Sequence, residues 1–251
     1  MYCIEMRQER CGVYETTYFW KHLYPNSDRI QRTMKSRSLF IPAAFALFVS
    51  GCNVVSNSTG GSGKAATDTR SVSGFSSVEM SGSGELQIEQ TGTESLAISA
   101  DDNLLQYLTS DVSGGQLRLG MKSGSFSPST PVVYKLTVKN LKGIALSGSG
   151  SINGKALATD SMKIELSGSG EITTAGSTDH MVVVISGSGN VHGEGLKSKD
   201  ARVEIDGSGS ATVAASQRLD VNINGSGNVE YIGDPMVSTN NHGSGSVNKR
   251  Q

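Results

Sequence analysis

From Gly82 onward, seven Gly-Ser-Gly tripeptides lie between short strand-like runs of this 251-residue chain, and a glycine-rich turn of this kind can bind phosphate, bind calcium or form a structural bend. Phosphate loops need a following helix and usually a Lys-Ser/Thr or a second glycine pattern. Here Glu, Ser or Asn follows, and then in most copies a β-branched residue. Calcium-binding nonapeptide repeats need an aspartate after the glycines and a nine-residue period. The pattern therefore favours a structural corner.

The other residues that could take part in catalysis or metal binding do not form a catalytic or metal-binding set. His180, His192 and His242 are 12 and 50 residues apart in the sequence, and with a repeat of about 19 residues His180 and His192 are predicted to lie on different sides of the coil. Glycoside-cleaving sites need a close pair of carboxylates, but Glu171 has no second acid beside it in its repeat column. We therefore predict no catalytic residue, no metal site and no cofactor, so that a polysaccharide-acting enzyme is a minor alternative.

A lipoprotein signal precedes the repeats. Residues 34–51 combine a short basic start, the apolar run Leu39–Val49 and small residues, which is typical of a secretory signal too short to span a bilayer. Cys52 follows directly and resembles the bacterial lipobox cysteine, whose thiol is acylated; the alternative is an ordinary signal peptide with an incidental cysteine. Residues 1–33 stand upstream of a complete signal and are interpreted as a start codon assigned too early.

The chain after the signal contains 15 Lys and Arg and 19 Asp and Glu, a net charge of about −4. It has no basic patch, so nucleic acid is not expected as a partner. Its only cysteine is Cys52, which excludes a disulfide within the mature chain. Residues 52–70 are poor in apolar side chains and predict a flexible linker to the membrane. Residues 71–251 are predicted to form one domain.

Internal repeats predict the fold. From Gly148 onward the corners recur at a nearly constant interval, and apolar residues occupy constant positions before and after each corner. Polar residues such as Lys163 and Glu165 alternate with them, which is the period of a strand with one buried face. A hairpin meander does not need constant columns, whereas a parallel β-solenoid does, because each coil lies on the one before. We predict an all-β chain, a parallel β-helix of 18–20-residue coils.

The corner glycines should allow the sharp turn and the close approach of stacked coils, about 4.7–4.9 Å apart. The predicted structural corners are Gly82, Gly84, Gly148, Gly150, Gly168, Gly170, Gly187, Gly189, Gly207, Gly209, Gly225, Gly227, Gly243 and Gly245.

The segment between Gly84 and Gly148 lacks this spacing and is expected to cap the N-terminal end of the solenoid with irregular strands. Within it, Asp101–Leu105 is expected to cap one helical turn, and Ser113–Gly115 to form a hairpin turn.

The stretches GFSSVEMSGSGELQI (residues 74–88) and YKLTVKNLKGIALSGSG (residues 134–150), followed by the repeats, resemble the auto-transporter adhesin head (GIN) domain of bacteria. The resemblance covers residues 72–233. It implies a right-handed parallel β-helix, a trimer, an adhesion role and no catalytic residues.

Two functions of different class remain open from the sequence. The first is an envelope-anchored adhesion or binding module, held to a membrane through the lipid on Cys52. The second is a structural or sensory periplasmic domain with no external ligand. Asn53, rather than an aspartate, follows the cysteine, which favours the outer membrane as the location.

Overall fold

Parallel strands stacked in register form the main body of the protein. The computed structural model describes residues 58–250, so Cys52, the predicted signal and the residues before it lie outside the described range. That range contains one 3₁₀ helix, Leu105–Tyr107, and the following strands: β1 Thr59–Gly60, β2 Ala65–Arg70, β3 Ser77–Gly82, β4 Glu85–Gln90, β5 Ser95–Asp101, β6 Leu108–Ser113, β7 Gln116–Met121, β8 Phe126–Ser127, β9 Val133–Val138, β10 Gly143–Gly148, β11 Ser151–Gly168, β12 Glu171–Gly187, β13 Asn190–Gly207, β14 Ser210–Gly225, β15 Asn228–Ile232, β16 Met236–Asn241 and β17 Ser246–Lys249.

Each coil contains three stretches of strand. Face A is the sheet of strands that lead into the Gly-Ser-Gly corners, as in the pairing of β10 with β11 and of β11 with β12. Face B is the sheet of strands that leave the corners, such as the start of β11 beside β4. Face C is the short third side, where residues 157–159 of β11 pair with residues 176–178 of β12. This arrangement confirms the predicted parallel β-helix.

The core is made of the apolar columns that the repeats predicted. Ile164 of β11 pairs with Val183 of β12, which pairs with Val203 of β13, and all three side chains are buried. The equivalent column on face B includes Ile152 and Ile172, which are also buried. Each coil therefore places its apolar residues on those of the coil below, and burial of this apolar area is the main stabilising term.

Strands of a different kind extend both faces at the N-terminal end. On face B, β9 runs parallel to β4, and β5 then pairs antiparallel with β9. On face A, β7 runs parallel to β3, and the hairpin β6–β7 turns at Gly114 and Gly115 as predicted. The prediction of an N-terminal cap is confirmed, although its strands continue the faces in register more regularly than expected. Antiparallel edge strands of this kind hide the backbone groups of the parallel stack.

The flexible linker predicted for residues 52–70 is wrong for its described part, because Thr59–Gly60 already forms β1, which pairs with β8. Residues 65–70 form β2, which pairs antiparallel with β5 at the edge of face B. The Arg70 guanidinium donates to the carbonyl oxygens of Leu108 at 2.7 Å and Leu105 at 2.9 Å, and it also contacts Asp68. A segment without large apolar side chains is thus ordered by backbone pairing and by hydrogen bonds from one arginine, neither of which local composition reveals.

Asp101 joins two loops at this end. Its side chain is buried, its Oδ1 accepts from the Gly63 N–H at 2.7 Å, and its Oδ2 accepts from the N–H groups of Ser129 and Thr130 at 2.9 and 3.1 Å. Burial opposes the charge, but the three N–H donors outweigh it and hold the pKa of Asp101 below its usual value. The expected helical turn exists as Leu105–Tyr107, yet no side chain caps it. The buried aspartate ties loops together instead.

We expect Asp101→Asn to loosen the N-terminal cap, because an amide has one acceptor oxygen where the carboxylate has two. Amide hydrogen exchange at Gly63, Ser129 and Thr130 should accelerate at pH 7, and the melting temperature should fall. Since the folded pKa is lowered, the carboxylate contributes stability above its usual pKa of 3.8, and this contribution is lost as the pH falls through the lowered value. The variant and the parent should therefore converge at acid pH, and Asp160→Asn at an exposed position should change neither measurement.

Candidate functional site

The stacked corners explain why the first glycine of each tripeptide is a glycine. Gly187 has a φ of +129°, in the region that residues with a side chain rarely adopt, and a Cβ there would lie 2.5 Å from the Gly168 carbonyl oxygen of the coil below. That oxygen is occupied, since it accepts hydrogen bonds from the N–H groups of Ser188 and Gly189 at 2.9 and 3.0 Å. The corner backbone therefore bonds to the neighbouring coil and does not form an open phosphate cradle.

The second glycine is required by space alone. A Cβ on Gly189 would lie 2.5 Å from the Gly170 carbonyl oxygen and 2.6 Å from a Leu166 methyl carbon in the core. The same contacts recur along the stack. Gly82, in the first corner, has no corner below it, and a Cβ added there would meet no atom of the described residues within 4 Å. The corner glycines thus allow adjacent coils to pack closely, which supports the structural interpretation of the repeated tripeptide.

The serine between the two glycines faces solvent. Ser149, Ser169, Ser188, Ser208 and Ser226 are all exposed, and within residues 58–250 none of these hydroxyls has a side-chain hydrogen bond. They form a column at the corner, one hydroxyl per coil. No steric constraint of the fold requires serine at these positions, so this polar edge is open to solvent.

Faces A and B carry rows of charged and polar side chains. On face A, Lys163 contacts Glu165 at 2.7 Å, and Arg202 contacts Glu204 in the same way two coils further on. Exposed pairs of this kind contribute little stability. On face B, a groove of about 420 Å³ is lined by Gln87, Glu89, Lys135, Asn153 and Lys155, among others. Both faces are therefore long, polar and regular, with shallow grooves between rows of side chains.

The histidines lie apart, as predicted. His180 is on face A with its Nδ1 3.2 Å from Asp200, and His192 is on face B with its Nε2 3.2 Å from Glu171. Among the described residues, no three His, Cys, Asp or Glu side chains are close enough to hold a metal ion.

The most perturbed tyrosine belongs to the core. Burial raises the pKa of Tyr134 to about 12, and its hydroxyl donates to the Gly120 carbonyl oxygen at 3.4 Å. Its shift is a consequence of packing at the N-terminal cap. None of the helical structure in residues 58–250 has the length and apolar character needed to cross a membrane.

Stacked parallel coils with glycine corners, a capped N-terminal end and long polar faces define a β-solenoid domain. The chain belongs to the family described as "Putative auto-transporter adhesin, head GIN domain", whose model matches residues 74–235.

Solved structures of bacterial proteins are similar to this chain, and the first of those that follow shows the same fold. A putative adhesin from Bacteroides fragilis is 22% identical with a TM-score of 0.63, and the match covers 76% of this chain and 99% of that one. A putative lipid binding protein from Parabacteroides distasonis is 26% identical over 76% and 99% of the two chains, with a TM-score of 0.48. A putative adhesin from the same organism is 21% identical over 77% and 100%, with a TM-score of 0.47. No curated protein is significantly similar to this chain.

Proposed function

We propose that this protein is a non-enzymatic binding module of the cell envelope, which is anchored through a lipid on Cys52 and contacts a partner through its sheet faces. The proposal rests mainly on the two long polar faces, A and B, which run along the whole stack of coils. A regular surface of this kind suits an extended contact made of many weak interactions. Membership of a family described as adhesin heads supports the same function.

The position of the first described strands supports anchoring at one end. β1 pairs with β8, and Gly63, which follows β1, is held by Asp101 at the N-terminal cap. Cys52 is seven residues before Thr59, and an extended chain of that length spans roughly 25 Å. A lipid on Cys52 would therefore hold the capped end near the membrane and leave the faces projecting away from it.

The surface chemistry favours a polar partner over stacked sugar rings. Phe75 and Tyr134 are buried in the core, and Tyr107 packs on Phe126 at the N-terminal cap with ring centroids 4.9 Å apart. Few aromatic rings therefore remain to form a platform for a saccharide. Assembly as a trimer, which the family resemblance implies, would combine several weak contacts and raise the overall affinity.

Protease treatment of intact cells tests this function. We expect the protein to be removed from the cell surface, while a soluble periplasmic protein in the same cells stays intact. Lysis before treatment serves as the control, because it should expose both proteins to the protease. Full protection of the protein in intact cells would contradict the adhesion proposal and favour the structural periplasmic role, for which no surface exposure is needed.

A further inference from the structure

A groove on face C arises where the repeat length changes. The coil from Gly187 to Gly207 is two residues longer than the next one, from Gly207 to Gly225. In the register of β13 and β14, Gly193 pairs with Val213, but the next paired residue of β13 is Lys197, opposite Ala214. Residues 194–196 thus have no counterpart in the coil above. The shortened coil leaves a groove of about 510 Å³ on the third side of the solenoid.

The floor of this groove is apolar. It includes Ala214 and Ile232, and Ile232 keeps 37% of its surface exposed, whereas the neighbouring Ala215 is buried in the core. Among the described residues, three of the four exposed large hydrophobic side chains lie within six residues of chain, namely Ile232, Met236 and Val237. Met236 and Val237 belong to β16, which pairs with the face A part of β14, so Ile232 is the one of these three that lines the groove.

The walls of the groove carry two carboxylates, those of Asp179 and Glu194, and two ammonium groups, those of Lys197 and Lys199. Asp179 is paired with Lys199 at 2.8 Å, and Oε1 of Glu194 faces Arg250 at 3.8 Å. The other carboxylate oxygen of Glu194 is buried from solvent, so it is not presented to a ligand. Lys197, by contrast, has no carboxylate within 4 Å among residues 58–250. The groove therefore combines an apolar floor with one ammonium group, that of Lys197, that forms no ion pair among the described residues.

We propose that the face C groove binds a medium-chain fatty acid, with its alkyl chain on Ala214 and Ile232 and its carboxylate at the Lys197 ammonium. One unpaired cation matches the single charge of a carboxylate. The volume lies within the range of about 300–1,000 Å³ that small-molecule sites occupy. The groove lies on face C, whereas the proposed adhesion surfaces are faces A and B, so this inference does not depend on adhesion.

Calorimetric titration with sodium octanoate below its micelle concentration tests the site. The full chain carrying Cys52→Ser is the suitable protein, because no acyl group of its own then competes. We expect one octanoate to bind per chain. Octylamine, which has the same tail and the opposite charge, and acetate, which has the same head and no tail, should not bind measurably.

Two variants locate the ligand within the groove. Lys197→Gln should weaken octanoate binding about tenfold, as expected for the loss of a charge-assisted hydrogen bond. Ala214→Phe should abolish binding by filling the floor. Lys155→Gln removes another exposed lysine, on face B, and should leave the affinity unchanged.

The inference is overturned if octanoate does not bind, if octylamine binds as tightly as octanoate, or if Lys155→Gln weakens binding as much as Lys197→Gln. Lys197 and Lys155 are exposed, so both glutamine variants should keep the melting temperature of the parent. The comparison between these two variants therefore tests the site even if Ala214→Phe does not fold.

Discussion

Replacement of Gly187 by valine is expected to destabilise the solenoid by several kcal/mol. The φ of +129° at this corner costs a residue with a side chain on the order of 1–3 kcal/mol. The new Cβ would also lie 2.5 Å from the Gly168 carbonyl oxygen, and overpacking of this kind costs about 1–3 kcal/mol more. Because that oxygen accepts two hydrogen bonds, the strain should spread to the adjoining coils. Urea denaturation, followed as a shift of the midpoint, measures the effect.

Two matched variants separate the contributions. Ser188→Ala changes an exposed side chain at the same corner and should shift stability by no more than about 0.5 kcal/mol. Gly82 has a positive φ of +100°, but a Cβ added there would have no atom of the described residues within 4 Å. Gly82→Ala should therefore destabilise the protein less than Gly187→Ala, where the positive φ and the steric overlap both act. Equal costs at Gly82 and Gly187 would refute the stacking explanation. A melting temperature raised by calcium or phosphate would show instead that the corners bind a ligand.

Loss of the thiol at Cys52 is expected to release the protein from the membrane. Cys52→Ser removes the only thiol in residues 52–251 that could carry a thioether-linked lipid, and none of the helical structure in residues 58–250 could span a bilayer in its place. We therefore expect the native protein in the membrane fraction and the variant in the soluble fraction.

Mass spectrometry of the native protein should complement this fractionation by showing a mature chain that begins at acylated Cys52. An unmodified chain that retains residues 1–33 would be incompatible with the proposed start at Met34. Retention of Cys52→Ser in the membrane fraction would argue against the lipid anchor. The fractionation result is independent of the position of the start codon, because both proteins are expressed from the same start.

These experiments address separate parts of one arrangement. The corners determine whether the coils stack, and the N-terminal cap determines whether the first coil is closed. The lipid on Cys52 would determine where the domain is held, and faces A and B would determine what it contacts. Replacement of Gly187 by valine should therefore reduce both the stability of the domain and its binding through faces A and B. Cys52→Ser should change the location of the protein without changing its melting temperature.

The amino-acid sequence by itself determined the repeated part of the fold. Columns such as Ile164, Val183 and Val203 were predictable because a parallel solenoid repeats the same local geometry in every coil, so a period in the sequence becomes a stack in space. The glycine corners were predictable for the same reason, since each one meets the equivalent corner of its neighbour. The shortening of the coil that follows Gly207 was also visible in the sequence, but which side of the coil it would open was not.

Only the tertiary structure decided the parts that depend on pairing between distant segments. β3 lies directly beside β10 although the strands β4 to β9 come between them in the chain, and β2 finds its partner in β5. Asp101 is buried because N–H groups from two remote loops converge on it, and Lys197 is left unpaired within residues 58–250 because its neighbours are occupied. Local periodicity carries no information about such encounters, because they are set by how the irregular segments close the end of the stack. The same physical reason explains why composition predicted a flexible linker where the chain forms a strand.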